Sequence, residues 1–158
     1  MNVTKMIKGH DLFRSFDFDD IAKLSDFTRQ LTYRAGDFIY RSGQEGNHFY
    51  VVLEGKVNLK LTSEDNESTL VVGRMEKGDI FGMSRLLGFD RFTATAACAT
   101  ECQILAVEID PFKNLLAENQ HVHLNVMSII ARAYFSRYID TLKRSQNTLS
   151  GLAAKATA

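Results

Sequence analysis

Two cysteines, Cys98 and Cys102, are too few for a disulfide framework. They fall on extended runs, too far apart along a straight strand to share one metal ion, and read as small buried apolar residues. Excess charge of either sign is also missing: 19 lysines and arginines face 19 aspartates and glutamates. That balance lacks the electrostatic footprint of a nucleic-acid binder. No apolar run approaches the length of a membrane span. The opening MNVTKMIKGHDLF has no apolar core of a signal peptide. These absences point to a cytoplasmic protein with no membrane partner and no nucleic-acid partner for this chain alone. Of the four histidines, His121 and His123 lie two apart, so on a helix they diverge by roughly 200° and do not chelate one ion.

What remains is ordinary globular material, 45 % hydrophobic and 24 % charged in 158 residues, which makes one domain the default. Asp17 to Phe27 reads as the first clear helix, with Asp17 as cap, Asp20 completing a weak capping box, and Ile21, Leu24 and Phe27 at helical spacing. Leu12, Phe13 and Phe16 sit on a separate turn before it. From Leu31 the period changes. Phe38 to Tyr40 is a short strand, 41–47 a loop with two glycines, and His48 to Leu53 an apolar, β-prone run closed by the turn Glu54-Gly55. Val57, Leu59 and Leu61 alternate with polar residues as a half-buried strand. Ser63 to Asn66 is a hairpin tip, and Leu70, Val71 and Val72 return, with Gly73 marking a bulge or close packing. Thr95 to Thr100 and Cys102 to Ile109 supply two more extended runs. Many short strands with glycine turns imply a sandwich or barrel.

Asp110-Pro111 starts the C-terminal helices, Asp110 as cap and Pro111 in the first turn. Phe112, Leu115 and Leu116 form a short amphipathic helix, and a longer one runs from about His121 to Gln146. Its apolar residues fill two stripes: Val122, Val126, Ile129 and Ala133, then Met127, Ala131, Tyr134, Tyr138 and Leu142. One stripe covers the strands and the other needs a further partner. The tail, 148–158, is small and weakly polar and is expected to be flexible. The expected organisation is one domain over 1–147, with a helical lid at 10–30, strands at 31–109 and helices at 110–147.

The stretch Gly78 to Thr95, GDIFGMSRLLGFDRFTAT, organises the rest. It reads as strand, glycine, a helical turn or two bearing Leu86 and Leu87, loop, and strand. A helix start after a glycine aims unpaired N–H groups at one spot and favours an anion, above all a phosphate. The donors would be Gly82, Met83, Ser84 and Arg85, with Arg91, Thr93 and Thr95 nearby. This stretch resembles the phosphate-binding cassette of cyclic-nucleotide-binding domains of the catabolite-activator (CRP/FNR) family. Phe81-Gly82 match its opening and Ala94-Thr95 its close. The family's ribose-binding glutamate falls on Met83, and its phosphate-binding arginine falls on Phe92, with Arg91 one residue early. The cassette is therefore degenerate.

The resemblance covers roughly Leu12 to Leu142 and implies a mainly β fold, a β-roll (jelly roll) with flanking helices and a long C-terminal helix. It implies a ligand site lined by Gly82, Met83, Ser84, Arg85, Arg91, Phe92, Thr93, Ala94, Thr95 and Val72, with Tyr134 and Tyr138 of the long helix stacking on a base. It also implies a homodimer through that helix, a downstream protein partner, and no cofactor beyond a possible cyclic nucleotide ligand. Metal enzymes built on jelly rolls need paired histidines. Here His48 stands alone before Glu54, and none follows Gly78-Asp79, so no enzyme and no metal are expected. Three functions follow: a regulatory sensor of a cyclic nucleotide or related phosphate compound; a degenerate domain that binds no nucleotide and serves as a protein-interaction platform; or the effector domain of a truncated regulator, since the chain stops before a helix-turn-helix.

Overall fold

Helices bracket two antiparallel sheets in the computed structural model, which describes residues 2–157. The order is α1 (Val3–Lys8), a 3-10 turn (Asp11–Phe13), α2 (Phe18–Asp26), β1 (Thr28–Tyr33), β2 (Phe38–Tyr40), β3 (His48–Glu54), β4 (Val57–Thr62), β5 (Thr69–Met75), β6 (Ile80–Phe81), β7 (Thr95–Cys98), β8 (Cys102–Glu108), α3 (Ile109–Ala117) and α4 (Gln120–Thr157). The sheets run β1-β8-β3-β6 and β2-β7-β4-β5. This is the expected jelly roll with a long C-terminal helix. Among the described residues, no helix is long and apolar enough to cross a membrane.

The first sheet is the middle of three layers, which explains its continuous apolar runs. Along β3, Phe49 and Val51 face the helices while Tyr50 and Val52 face the second sheet. Along β8, Leu105 and Val107 face the helices, and Ile104 and Ala106 face inward. A strand buried on both sides loses the apolar–polar alternation of a half-exposed one. The helix-side core gathers Leu12, Phe13, Leu24, Phe112, Val126 and Ile130.

At the N-terminus the Asp17 carboxylate accepts from the Asp20 N–H at 2.8 Å, the expected cap. α1 goes unannounced by periodicity, since only Ile7 in it is buried. The expected cap at Asp110 is not formed. α3 begins two residues earlier, with Glu108 at its N-cap and no side-chain cap bond. Asp110 lies in the first turn and receives Arg85 instead. The tail expected to be flexible continues α4 to Thr157; Leu149, Leu152 and three alanines in that stretch are strong helix formers, which outweigh the single Gly151.

α4 is fastened along two sheet edges. β5 and β6 are edge strands, and Val72 is the extra residue of a bulge, because Leu59 pairs with Gly73 while Lys60 pairs with Val71. The Val72 carbonyl accepts from Thr141 Oγ1 at 3.2 Å and from Arg144 Nη2 at 3.4 Å. The Ile80 carbonyl accepts from Arg137 Nη2. These bonds satisfy backbone groups that an edge would leave open.

Candidate ligand cradle

The cradle starts where β6 ends. Gly82 has φ +75°, and a Cβ there would meet Tyr50 Cδ2 at 2.9 Å and Tyr40 Cε2 at 3.2 Å, so only glycine fits. Of the helical turn or two expected after it, a single turn forms. Leu87 N–H donates to the Met83 carbonyl at 3.1 Å, Gly88 N–H to Arg85 at 3.2 Å and Phe89 N–H to Ser84 at 2.8 Å. With Gly88 at φ +96°, that is a Schellman closure of a single turn. The chain stops turning at once, and the dipole of a helix is not built up.

Each residue expected at the site has a definite place. Phe92 is buried, and its ring stacks on Tyr40 with centroids 3.7 Å apart and planes 13° off parallel. Tyr40 in turn stacks on Tyr50 at 5.7 Å, and Tyr50 on Phe81 at 5.4 Å. These four rings fill the roll between the sheets, with Val72 and Ala94 packed against them. Met83 is fully buried but belongs to the helix-side core, with Phe13, Ile80 and Phe112. The two positions that would carry the family's glutamate and arginine therefore serve different layers. Of the two side chains expected to make the pocket apolar, Phe92 lies inside the roll and Met83 packs in the helix-side core.

The polar candidates are committed elsewhere. Arg85 donates to Asn47 Oδ1 at 2.7 Å and pairs with Asp110 at 3.1 Å. Arg91 Nη1 donates to the Gly43 carbonyl at 2.8 Å, and its backbone bridges Glu45. Thr95 Oγ1 accepts from the Ser42 N–H at 3.0 Å. Ser84 is half-buried, and Thr93 is exposed. Backbone bonds between Phe92 and residues 43 and 44 clamp the loop before β3 onto the cassette. From above, Tyr134 is half-buried with the Arg137 guanidinium 4.6 Å from its ring centroid. Tyr138 is 59 % exposed on the far side of α4.

The environment is strongly apolar. Burial pushes the Tyr50 phenol up to about 12, and burial with the neighbouring Tyr134 raises Tyr40 as well. The chain turns between Cys98 and Cys102 and brings their thiols together; burial, then Cys102, pushes Cys98 up to about 12. Such a thiol is a poor nucleophile. Among the described residues, no group of three metal-ligating side chains converges. Sequence reading missed Tyr40, Tyr50, Arg137, Thr141 and Arg144. The helical spacing of the last three, with seven residues from Arg137 to Arg144, was the signal that pointed to one face.

Comparison with known proteins agrees with this fold. The family profile described as cyclic nucleotide-binding domain matches residues 30–119. A cGMP-dependent protein kinase of Drosophila melanogaster, isozyme 2 forms cD5/T2, is 29 % identical over 113 residues, 70 % of this chain and 12 % of the kinase. The chain spans 10 to 16 % of the first curated relatives it matches. The sensor domain of the transcriptional regulator DNR from Pseudomonas aeruginosa shares the fold with a TM-score of 0.74 at 15 % identity, covering 87 % of this chain and 95 % of that one. The regulatory subunit of a cAMP-independent protein kinase A from Trypanosoma brucei shares it with a TM-score of 0.69 at 21 % identity, covering 92 % and 49 %.

Proposed function

The chain belongs to the cyclic nucleotide-binding domain family, and we propose that it is a regulatory, non-enzymatic module of that family whose nucleotide cradle is closed by its own side chains and which works as a protein-interaction platform. The observation that carries this reading is the Phe92 ring stacked on Tyr40 at 3.7 Å, at the position where the family's arginine would meet a cyclic phosphate. An arginine–phosphate pair is among the strongest polar contacts a site offers. Its replacement removes that attraction and puts carbon where the phosphate would sit. Arg85 and Arg91 are both held by other partners, so neither supplies the lost charge without breaking those contacts.

The platform is α4. Leu124, Ala131, Phe135, Tyr138, Leu142, Leu149 and Leu152 lie at steps that fit a heptad seam, and all are exposed. Ser128, Ser145 and Ala156 fill the intervening seam positions with small side chains. Phe135 is 66 % exposed and Leu149 67 %. A stripe that long and that apolar favours a helix partner, and a second copy of α4 in parallel is self-complementary. The outward seam differs from the one expected, because Met127 and Tyr134 pack against the helix-side core instead.

Calorimetric titration of cyclic AMP and cyclic GMP into the chain tests the closed cradle, and no saturable heat is expected. Micromolar binding that is lost on changing Thr93 or Gly82 would restore the sensor reading.

A further inference from the structure

Away from the cradle, a cleft of about 660 Å³ opens between α4, the end of β5 with the connection to β6, and the segment Gly9–Asp11. Its size is that of a small-molecule site, roughly 300–1,000 Å³. Three guanidinium groups line it: Arg74 from β5, and Arg137 and Arg144 from α4. Arg137 and Arg144 stand two helical turns apart on one face, opposite Arg74. Among the described residues, none of the three enters an ion pair. Arg137 and Arg144 each spend one donor on a backbone carbonyl, Ile80 and Val72, which leaves most of their five N–H groups for a ligand.

The carboxylates of the cleft set the rest of the chemistry. Asp11 is paired with Arg14, and the Asp79 carboxylate accepts from the Glu76 N–H at 2.8 Å. Asp140, between the two α4 arginines, has no such partner in the described structure and acts as an acceptor facing the same space. One wall is fixed by His10. Its Nδ1 accepts from the Leu12 N–H at 3.1 Å, so Nε2 carries the proton and donates to the Gly78 carbonyl at 2.7 Å. We propose that this cleft binds a phosphate-bearing small molecule of nucleotide or sugar-phosphate size. Its phosphate sits among Arg74, Arg137 and Arg144, and a hydroxyl or amine donor meets Asp140. Planar guanidiniums recognise phosphate oxygens by paired hydrogen bonds, and a lone carboxylate beside them selects a ligand that also brings a donor. A ligand held there would bridge α4 to the roll and the N-terminal segment, the parts a regulatory module moves against one another.

The test is calorimetric titration of the chain with ATP, inorganic pyrophosphate and adenosine. ATP and pyrophosphate are expected to bind and adenosine to give no measurable heat. ATP binding more tightly than pyrophosphate identifies a nucleotide, and equal affinities identify phosphate alone. Arg74→Gln and Arg144→Gln should each weaken binding about tenfold or more, and Asp140→Asn should strengthen pyrophosphate binding. Arg74 is exposed, so Arg74→Gln should melt like the wild type and decides the matter if Arg144→Gln loosens α4. No binding of either phosphate probe at millimolar concentration, or binding untouched by Arg74→Gln, overturns the proposal. The closed-cradle reading fails separately: nucleotide in the cradle would respond to substitutions at Phe92 and ignore Arg74→Gln.

Discussion

Phe92 and Tyr40 lie face to face, centroids 3.7 Å apart, and join the cassette to β2 across the inside of the roll. Under the closed-cradle proposal this contact stands in for a ligand as the link between these two segments. Phe92→Ala should therefore cost about 3 kcal/mol or more, the range for a buried aromatic removed from a packed core. Urea unfolding measures it, and a neutral result would mean that the ring does not hold the roll closed.

Restoring the family's polar pair gives a different outcome at each position. Met83 is fully buried in the helix-side core, so Met83→Glu should destabilise through an unpaired buried charge by several kcal/mol. Phe92→Arg faces the roll interior and should be the milder of the two once cyclic AMP is supplied. Thermal melts with and without nucleotide separate them. Equal and ligand-insensitive losses would show that Met83 and Phe92 share one environment.

Two glycines six residues apart, Gly82 and Gly88, both hold positive φ, but only the first is crowded. At Gly88 a Cβ meets nothing within 4 Å, whereas at Gly82 it strikes Tyr50. Gly88→Ala should cost only the left-handed backbone term, about 1 kcal/mol. Gly82→Ala should cost that and the displacement of the ring stack. Equilibrium unfolding of both variants should rank Gly82→Ala as the more damaging.

The raised tyrosines define an alkaline limit. In the unfolded chain a tyrosine loses its proton near 10, and in the fold Tyr50 holds it to about 12. The unfolded state then binds fewer protons over that interval, so stability is intact below pH 10 and falls as pH climbs from 10 towards 12. The loss traceable to Tyr50 is on the order of 2–3 kcal/mol. Tyr50→Phe should flatten that fall in pH-dependent urea unfolding. An unchanged alkaline slope would mean that the phenol is not the group responsible.

Tyr138 and Leu142 sit one turn apart on the outward face of α4, 59 % and 47 % exposed. Sedimentation should find a dimer at micromolar concentration, and Tyr138→Glu should shift it to monomer without lowering the stability of the roll. A wild-type monomer would remove the α4 pairing from the proposal.

Much of this was legible in the chain itself. The glycine turns, the alternation from Val57 to Lys60 and the Asp17 cap follow from local chemistry, and the structure keeps them, while Leu61, read as the last inward residue of that strand, is exposed. The direction in which Met83 and Phe92 point was not legible, because it depends on the single turn closed by Gly88, and one residue of phase decides which layer receives a side chain. The helical reach of the tail was hidden for a similar reason: small residues suit both a frayed end and a helix, and alanine favours the second. The split of α4 into a roll-facing and an outward face depended on tertiary contacts, so Tyr134 and Tyr138, four apart, ended in different surroundings.

Past Arg144, the last residue fastened to the roll, α4 continues unsupported from Ser145 to Thr157, roughly 20 Å at the helical rise. The contacts at Ile80 and Val72 then behave as a fulcrum. A tilt of about 10° there would carry the far tip through roughly 3 Å, since a helix this long moves as a rod. Small rearrangements beside β5 would thereby be enlarged at a place that touches neither sheet.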